Sequence, residues 1–200
     1  MAITNGYATL AGYKQRHDID DTQDDSAIEN YITAVSRVID GIRGERFYTT
    51  TSDETRYFTA KHRDFLHPGV RIVSITTLKT DHDGDRTYEY TWATTDYDLL
   101  PFNATLDGEP YSYIGITPNG DYSFPLLQKG VEIAGKFGWS SAPAYISEAC
   151  YLGTARLMQR QDTPLGVSAA AALGQLQVVA SQLKADPDFM QLLMTNRRLF

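Results

Sequence analysis

The sequence predicts an α+β protein: a small antiparallel helical body interrupted by a β-rich insertion, with a short C-terminal helix and tail. Near both ends of the chain, apolar residues recur at the period of an amphipathic helix. Between these regions the pattern changes to alternation rich in β-branched and aromatic residues, which is typical of strands. We therefore expect residues 1–54 and 136–200 to form the helical body and residues 55–135 to form the insertion.

The composition excludes several classes of protein. With 42% hydrophobic residues among 200, a packed core is expected. No apolar run approaches the roughly 20 residues that a membrane span needs, and the N-terminus lacks a signal-peptide pattern. The single cysteine, Cys150, excludes an internal disulfide framework. We therefore expect the protein to be made, and to stay, in a reducing cytosol until it joins a larger assembly. The net charge of −7, without a basic stripe, disfavours tight binding to nucleic acid.

The N-terminal part predicts two helices. A short helix spans 9–17 with Thr9 as its cap. Five aspartates in 18–25 predict a solvated loop whose last acids start the next helix; the alternative, a calcium site, lacks the glycine and glutamate of an EF-hand loop. The next helix ends near Gly41 or Gly44, and its apolar stripe comprises Ile28, Ile32, Val35, Ile39 and Ile42, widened by Tyr31 and Val38.

The central part predicts several short strands separated by turns. An Asp-Gly turn in 80–86 predicts a hairpin, and 87–92 alternates strictly, with Tyr88, Tyr90 and Trp92 on one face. Fourteen of the 23 aromatic residues lie in 55–139, which favours a small core within the insertion. The predicted strands are 55–59, 71–78, 87–92, 96–100, 111–116 and 131–137.

The C-terminal part predicts a long helix and a short one. Pro143 suits the first turn of the long helix, whose apolar face comprises Ile146, Ala149, Cys150, Gly153 and Leu157. Residues 167–185 fit a helix, and 176–181 equally fit a strand. Asp186, Pro187 and Asp188 then predict the cap, the first residue and the first-turn acid of a helix that ends near Thr195. A helix of this length is too short to persist alone in water.

The sequence offers no pattern of catalytic, cofactor-binding or metal-ligating residues. The acids of 81–85 are the best metal candidate, but the spacing departs from an EF-hand, and a charged hairpin turn is the better interpretation. The four histidines lack zinc-ligand spacing, so we expect them at the surface. Cys150 lies on an apolar helix face and is expected to be buried. We expect no enzymatic activity, no cofactor and no metal.

Several collinear segments resemble the head–tail connector (adaptor) proteins of long-tailed bacteriophages. No segment is diagnostic by itself, and the resemblance rests on their order along nearly the whole chain. They are residues 7–14, 27–32, 35–40, 46–48, 55–58, 97–101, 135–139, Pro143 with the arginine-bearing helix after it, 164–166, 186–189, 192–193 and 197–198.

This resemblance implies a structural protein of the virion neck, at the head–tail joint, that assembles in the host cytoplasm. Such proteins form an oligomeric ring, typically of twelve copies, between the portal and the stopper or tail-completion protein. The ring extends a channel through which DNA passes without specific binding, and the acids of 18–25 are candidates for its lumen. Twelve copies would carry a charge of about −84, which suits sliding DNA.

The resemblance also implies two sets of interaction residues. The C-terminal segment of the family commonly docks on the portal, and the short final helix here has an apolar face followed by arginines. The portal-docking candidates are Phe189, Met190, Leu193, Met194, Arg197, Arg198 and Phe200. The candidates for helix packing and intersubunit contact are Ile28, Ile32, Val35, Ile39, Ile146 and Leu157.

Two alternatives remain open from the sequence. The first is a ligand- or carbohydrate-binding β module on a helical stalk, with exposed Tyr88, Tyr90 and Trp92 as its binding face. The second is a metal-dependent hydrolase that uses the acids of 81–85, which predicts stoichiometric metal in the purified protein.

Overall fold

The computed structural model describes residues 2–162, 167–170, 175–178 and 186–195. Its helices and antiparallel sheets establish the α+β class. The chain divides into two compact units: a terminal unit of residues 1–44 with 142–200, and a central unit of residues 45–141. The division predicted from the sequence, with boundaries at 54/55 and 135/136, stays a prediction about domains.

The terminal unit contains all the described helices. They are α1 (Leu10–Arg16), α2 (Asp25–Arg43), α3 (Ala144–Asp162) and α4 (Pro187–Met194). Two short strands, β8 (Val167–Ala170) and β9 (Gln175–Val178), pair antiparallel with each other. In the region where the sequence left helix and strand open, the described residues are thus strands, and the remainder of 167–185 lies outside the described residues.

The helix ends follow the predicted signals. The Thr9 hydroxyl accepts the Gly12 N–H at 3.1 Å and caps α1. Asp25 lies in the first turn of α2, and Gly44 ends that helix in the left-handed conformation with φ 70°. Helix α3 begins one residue after Pro143, whose carbonyl accepts the N–H groups of Ile146 and Ser147, so the proline precedes the first turn.

Helices α2 and α3 pack through large residues on one side and small residues on the other. Ile28, Ile32, Val35 and Ile39 of α2 are completely buried, as are Ile146, Ala149 and Cys150 of α3. A Cβ atom added at Gly153 would lie only 2.7 Å from Cγ1 of Val35. Glycine at 153 therefore lets the helices approach closely, as the small residues on this face predicted.

The central unit contains seven strands in two antiparallel sheets. The larger sheet has the order β1 (Glu54–Phe58), β7 (Val131–Phe137), β3 (Ile72–Thr80) and β4 (Tyr90–Thr91). The smaller has the order β2 (Phe65–Leu66), β6 (Tyr113–Ile116) and β5 (Tyr97–Leu100). The predicted small core exists, and its fully buried members include Leu66, Ile72, Leu78, Ile114, Phe124, Val131, Ile133 and Phe137.

Two strand predictions need correction. The predicted strand 87–92 is reduced to Tyr90–Thr91, because residues 81–89 form a loop organised by Asp81. The segment 62–67, expected to be a loop, contains the two-residue strand β2, which pairs with β6. A strand this short carries too little alternation to be recognised from sequence.

Candidate functional site

The face predicted for helix packing and intersubunit contact packs within the terminal unit. Five of its six residues are completely buried within the terminal unit, namely Ile28, Ile32, Val35, Ile39 and Ile146. Leu157 is half-buried. Burial in this conformation places these five side chains inside one copy, and their contact with a second copy stays a prediction. Their position between α2 and the rest of the terminal unit is the one expected for helix packing.

Helix α4 is seated on the terminal unit by its apolar face. Phe189 and Leu193 are completely buried, and the ring atom Cε2 of Phe189 lies 3.0 Å from a Cβ position at Gly153 of α3. The chain itself therefore covers the face that the sequence left for a portal. Phe189 and Leu193 are anchors of α4 in this conformation, and their docking on a portal stays a prediction.

Charged groups hold both ends of α4. The Asp186 carboxylate accepts the N–H groups of Asp188 and Phe189 at 3.0 and 3.2 Å, which confirms the predicted cap. The same carboxylate receives Nε of Arg156 from α3 at 2.8 Å. At the other end, the Arg43 guanidinium donates to the carbonyl of Leu193. These contacts fix the position of α4 as well as its fold.

The other portal-docking candidates lie farther out or beyond the described region. Met190 is half-buried, and 44% of Met194 is exposed. Arg197, Arg198 and Phe200 lie outside the described residues. Met194 is thus an exposed apolar residue at the point where the C-terminal segment begins.

The acidic loop of 81–89 brings four carboxylates together. One oxygen from each of Asp81, Asp83, Asp85 and Glu89 lies within 4.8 Å of the others, and Asp81 alone among them is buried. Oδ1 of Asp81 accepts the N–H groups of residues 83 and 84, and Oδ2 accepts the Arg86 N–H. Backbone donors thus satisfy both oxygens, which supports a charged turn over a designed metal site.

These hydrogen bonds also set the ionisation of Asp81. The Gly84 N–H is the largest cause that holds the pKa of Asp81 below its ordinary value, and the Arg86 N–H and Asp83 act in the same direction. Partial desolvation opposes them. The charged carboxylate is therefore the form that organises the loop.

The residues considered for catalysis occupy structural positions. His17, His62, His67 and His82 are all exposed, as expected, and each packs against an aromatic ring, of Tyr13, Phe65, Tyr113 and Tyr90 respectively. Cys150 is buried, also as expected, and burial is the largest cause that raises the pKa of its thiol. A raised pKa disfavours the thiolate, which is the reactive form.

The three aromatic residues predicted to share a ligand-binding face do not lie together at the surface. Trp92 is 5% exposed, stacks on Phe124 with ring centroids 4.7 Å apart, and donates from Nε1 to Thr80 Oγ1 at 3.0 Å. Tyr88 is half-buried, and 44% of Tyr90 is exposed. Trp92 is therefore a core residue and cannot belong to an exposed binding face with the two tyrosines.

The predicted acidic loop of 18–25 lies at the surface of the terminal unit. Asp18, Asp20, Asp21 and Asp24 are exposed, and Asp25 pairs with Nζ of Lys14 at 2.7 Å. This arrangement confirms a solvated loop whose last acid lies at the start of α2. Its position in a channel stays a prediction.

The structure also reveals exposed apolar residues that sequence reasoning missed. Phe102 is 68% exposed and Leu106 is 84% exposed on one turn of the central unit, and Leu126 and Leu127 are exposed elsewhere in it. The spacing of Phe102 and Leu106, four residues apart before an Asp-Gly pair, was a signal available in the sequence. Among the described residues, no helix is long and apolar enough to cross a membrane.

Comparisons with known proteins identify the family of this chain. A family model described as "HCP: Head completion protein" matches residues 7–125, and a search of curated proteins finds no match. The fold is similar to a chain in "Neck of empty GTA particle computed with C6 symmetry", with 16% identity and a TM-score of 0.57. It is also similar to one in "Virion of native gene transfer agent (GTA) particle", with 17% identity and a TM-score of 0.53. Each likeness covers 100% of this chain and 94% of the other. Because the family model matches more than half of its residues, the chain belongs to the head completion protein family.

Proposed function

We propose that this chain is a structural protein of the neck of a phage-like particle, where it joins the DNA-containing head to the tail. Membership of the head completion protein family is the observation that carries this proposal. The shared fold with proteins of gene transfer agent particles, over the whole length of the chain, supports it. Its place of action is then the virion, after assembly in the host cytoplasm.

The proposed mechanism is assembly without chemistry. Copies of the chain form an oligomeric ring, with the portal on one side and a stopper or tail-completion protein on the other. The number of twelve copies and these two partners come from the resemblance to connector proteins. DNA passes through the ring without specific binding. The net charge of −7 per copy repels the DNA backbone and so limits adhesion of DNA to the inner wall of the ring.

Portal docking is proposed for the outer part of the C-terminal segment. Met194 is exposed, and Arg197 and Arg198 follow it in the sequence, whereas Phe189 and Leu193 anchor α4 to the chain itself. A partner with an apolar groove rimmed by acids would match this combination. Met190 and Phe200 complete the proposed docking set.

The docking proposal needs a test that leaves the anchors in place. Deleting residues 186–200 would uncover the surface beneath Phe189 and destabilise the terminal unit, so loss of binding would be ambiguous. The variant Met194→Asp with Arg197→Glu and Arg198→Glu changes exposed or terminal positions instead. We expect loss of co-purification with portal, while helicity at 222 nm is retained. Binding equal to that of the unchanged chain would exclude this segment as the docking site.

The function as a whole is tested by removing the gene from a particle-producing strain. Electron microscopy should then show DNA-containing or leaked heads beside free, unattached tails. A plasmid-borne copy of the gene provides the control and should restore complete particles. Complete particles with normal necks in the deletion strain would end the proposal.

The alternative of a carbohydrate-binding module loses its main support in the structure. A stacking platform for sugars needs exposed aromatic faces, and Trp92 is instead packed against Phe124 in the core. The expectation that the chain is not an enzyme rests on the structural nature of its family.

A further inference from the structure

A compact turn of the central unit displays two large apolar side chains to solvent. Residues 101–109 are held by hydrogen bonds from the N–H of Ala104 to Pro101 and from the N–H of Glu109 to the carbonyl of Ala104, the latter at 2.8 Å. Ala104 is buried and fixes the turn to the unit. Phe102 and Leu106 nevertheless remain 68% and 84% exposed. Two large apolar side chains that a fixed turn holds in solvent would gain free energy if a partner buried them.

The turn is acidic, and so is the stretch of sequence that contains it. Asp107 is exposed and Glu109 is half-buried in the turn itself. Residues 87–128 contain six acidic residues and neither lysine nor arginine. A partner surface that receives the turn should therefore be apolar at its centre and basic at its rim. We call residues 101–109 the acidic turn.

A surface of that kind exists on the same unit. Segments 59–64 and 124–129 lie side by side, because the Phe124 N–H donates to the carbonyl of Arg63 at 2.9 Å and the Lys129 N–H donates to Thr59 Oγ1 at 3.0 Å. Leu126 and Leu127 are 52% and 36% exposed there. We call these two segments the basic face.

The charge of the basic face is opposite to that of the turn. Lys61, Arg63 and Lys129 are exposed and form no ion pair within the described part of the chain. Asp64 is the one acid of the two segments, which leaves a formal charge of +2. The acids of the 81–89 loop are also close, since Leu127 Cδ1 is 3.8 Å from a Cβ position at Gly84. The Tyr88 hydroxyl of that loop also donates to the carbonyl of Lys129 at 2.7 Å. A docked turn must therefore lie toward Lys61 and Arg63, away from that loop.

The register of the larger sheet places the two surfaces at opposite ends of the unit. The acidic turn ends beside Tyr111, which pairs with Ile72, and Ile72 pairs with Phe137 at one end of β3 and β7. The basic face follows Phe58, which pairs with Val131 at the other end of β7. Six strand steps separate Phe137 from Val131, about 20 Å along the sheet. One copy cannot bring its own two surfaces together.

We propose that the acidic turn of one copy docks on the basic face of a second copy of this chain. Two different, complementary surfaces at opposite ends of a unit produce a head-to-tail contact, which repeats from copy to copy and closes as a ring if the rotation allows. The closure into a ring rests on the proposed function. The contact itself rests on the exposed apolar residues and the opposite charges of the two surfaces.

Cysteine cross-linking tests the contact directly. The full chain carries Leu106→Cys, Leu126→Cys, or both, and Cys150 stays in every variant because it is completely buried. Mild oxidation is applied to the concentrated purified chain and to particles assembled with it. The double variant should give a ladder of oligomers on non-reducing gels, and a mixture of the single variants should give dimers only. Thr51→Cys, at an exposed position outside both surfaces, replaces Leu126→Cys in the matched control and should give no ladder.

Each outcome separates this inference from the proposed function. Dimers formed by Leu106→Cys alone would indicate a symmetric contact and overturn the head-to-tail arrangement. The absence of a ladder in both purified chain and particles would overturn the contact itself. Incorporation of the chain into particles, scored separately by immunoblot, reports the proposed function whatever the cross-links show.

Discussion

The carboxylate of Asp186 has two roles, and substitutions can separate them. It caps α4 through two backbone N–H groups and pairs with Arg156. Asp186→Asn keeps a capping oxygen and removes the charge, whereas Asp186→Ala removes both. The carboxylate is 3% exposed and Arg156 is 34% exposed, so the arginine regains water when its partner is lost. The order of stability should therefore be Asp186, then Asn, then Ala.

The expected magnitudes follow from the two contacts. Loss of a cap costs about 1 kcal/mol, within a range of roughly 0.5–2. Loss of the charge-assisted bond to a partly exposed arginine adds about 1 kcal/mol. We expect about 1 kcal/mol for Asp186→Asn and about 2 kcal/mol for Asp186→Ala, or a fall in Tm on the order of 10 °C for the latter.

Circular dichroism at 222 nm is the appropriate assay, because all four described helices lie in the terminal unit. Tryptophan fluorescence serves as the internal control, since Trp92 and Trp139 both lie in the central unit. Urea midpoints from the two signals give the free energy of unfolding for each variant. If the Asn and Ala variants were equally stable, the capping argument would be refuted; if both matched the unchanged chain, α4 would not be held as described.

Three further expectations concern other parts of the chain. Gly138→Ala should destabilise the central unit by more than about 2 kcal/mol, measured by tryptophan fluorescence in urea, because φ is 108° and a Cβ would lie 2.0 Å from the carbonyl oxygen of Tyr48. An unchanged midpoint would contradict that backbone conformation. Asp81 has a lowered folded-state pKa, so its stabilising effect is present above the unfolded pKa of about 4 and is lost as pH falls through the folded pKa. Asp81→Asn should therefore reduce the loss of stability between pH 5 and pH 2, and identical pH profiles would argue against it. Glu148→Gln should change the free energy of unfolding by less than about 1 kcal/mol, because Glu148 and its partner Arg16 are 46% and 44% exposed. A larger effect that persists in 1 M salt would show that the pair is not a surface ion pair.

The sequence predicted best where one local rule decided the structure. The stripe of α2 and the Asp-Pro-Asp start of α4 needed nothing beyond helical period and capping chemistry. The strand 131–137 was predicted at its observed bounds because β-branched and apolar residues alternate through it. In each case the residues that determine the element lie within it.

The sequence predicted poorly where a distant contact decided the structure. Phe189 and Leu193 form an apolar face in any helix, but whether that face meets α3 or another protein depends on tertiary packing. The sequence pattern does not distinguish Trp92 from Tyr88 and Tyr90. In the structure, contacts with Phe124 and Thr80 place Trp92 in the core. Strand β2 exists only because β6 lies beside it. None of these partners is within 10 residues of the residue concerned.

The order of strands in the larger sheet has a consequence for synthesis on the ribosome. Strand β7 is the last of the four along the chain, yet it lies between β1 and β3. Until residues 131–137 leave the exit tunnel, β1 and β3 lack their shared neighbour and expose unpaired edges. At about 5–20 residues per second, the interval after Phe58 lasts roughly 4–15 s. A chaperone that covers the unpaired edges of β1 and β3 during this interval would protect the nascent chain from aggregation. Slow codons placed just before β7 would lengthen the interval in which these edges are exposed.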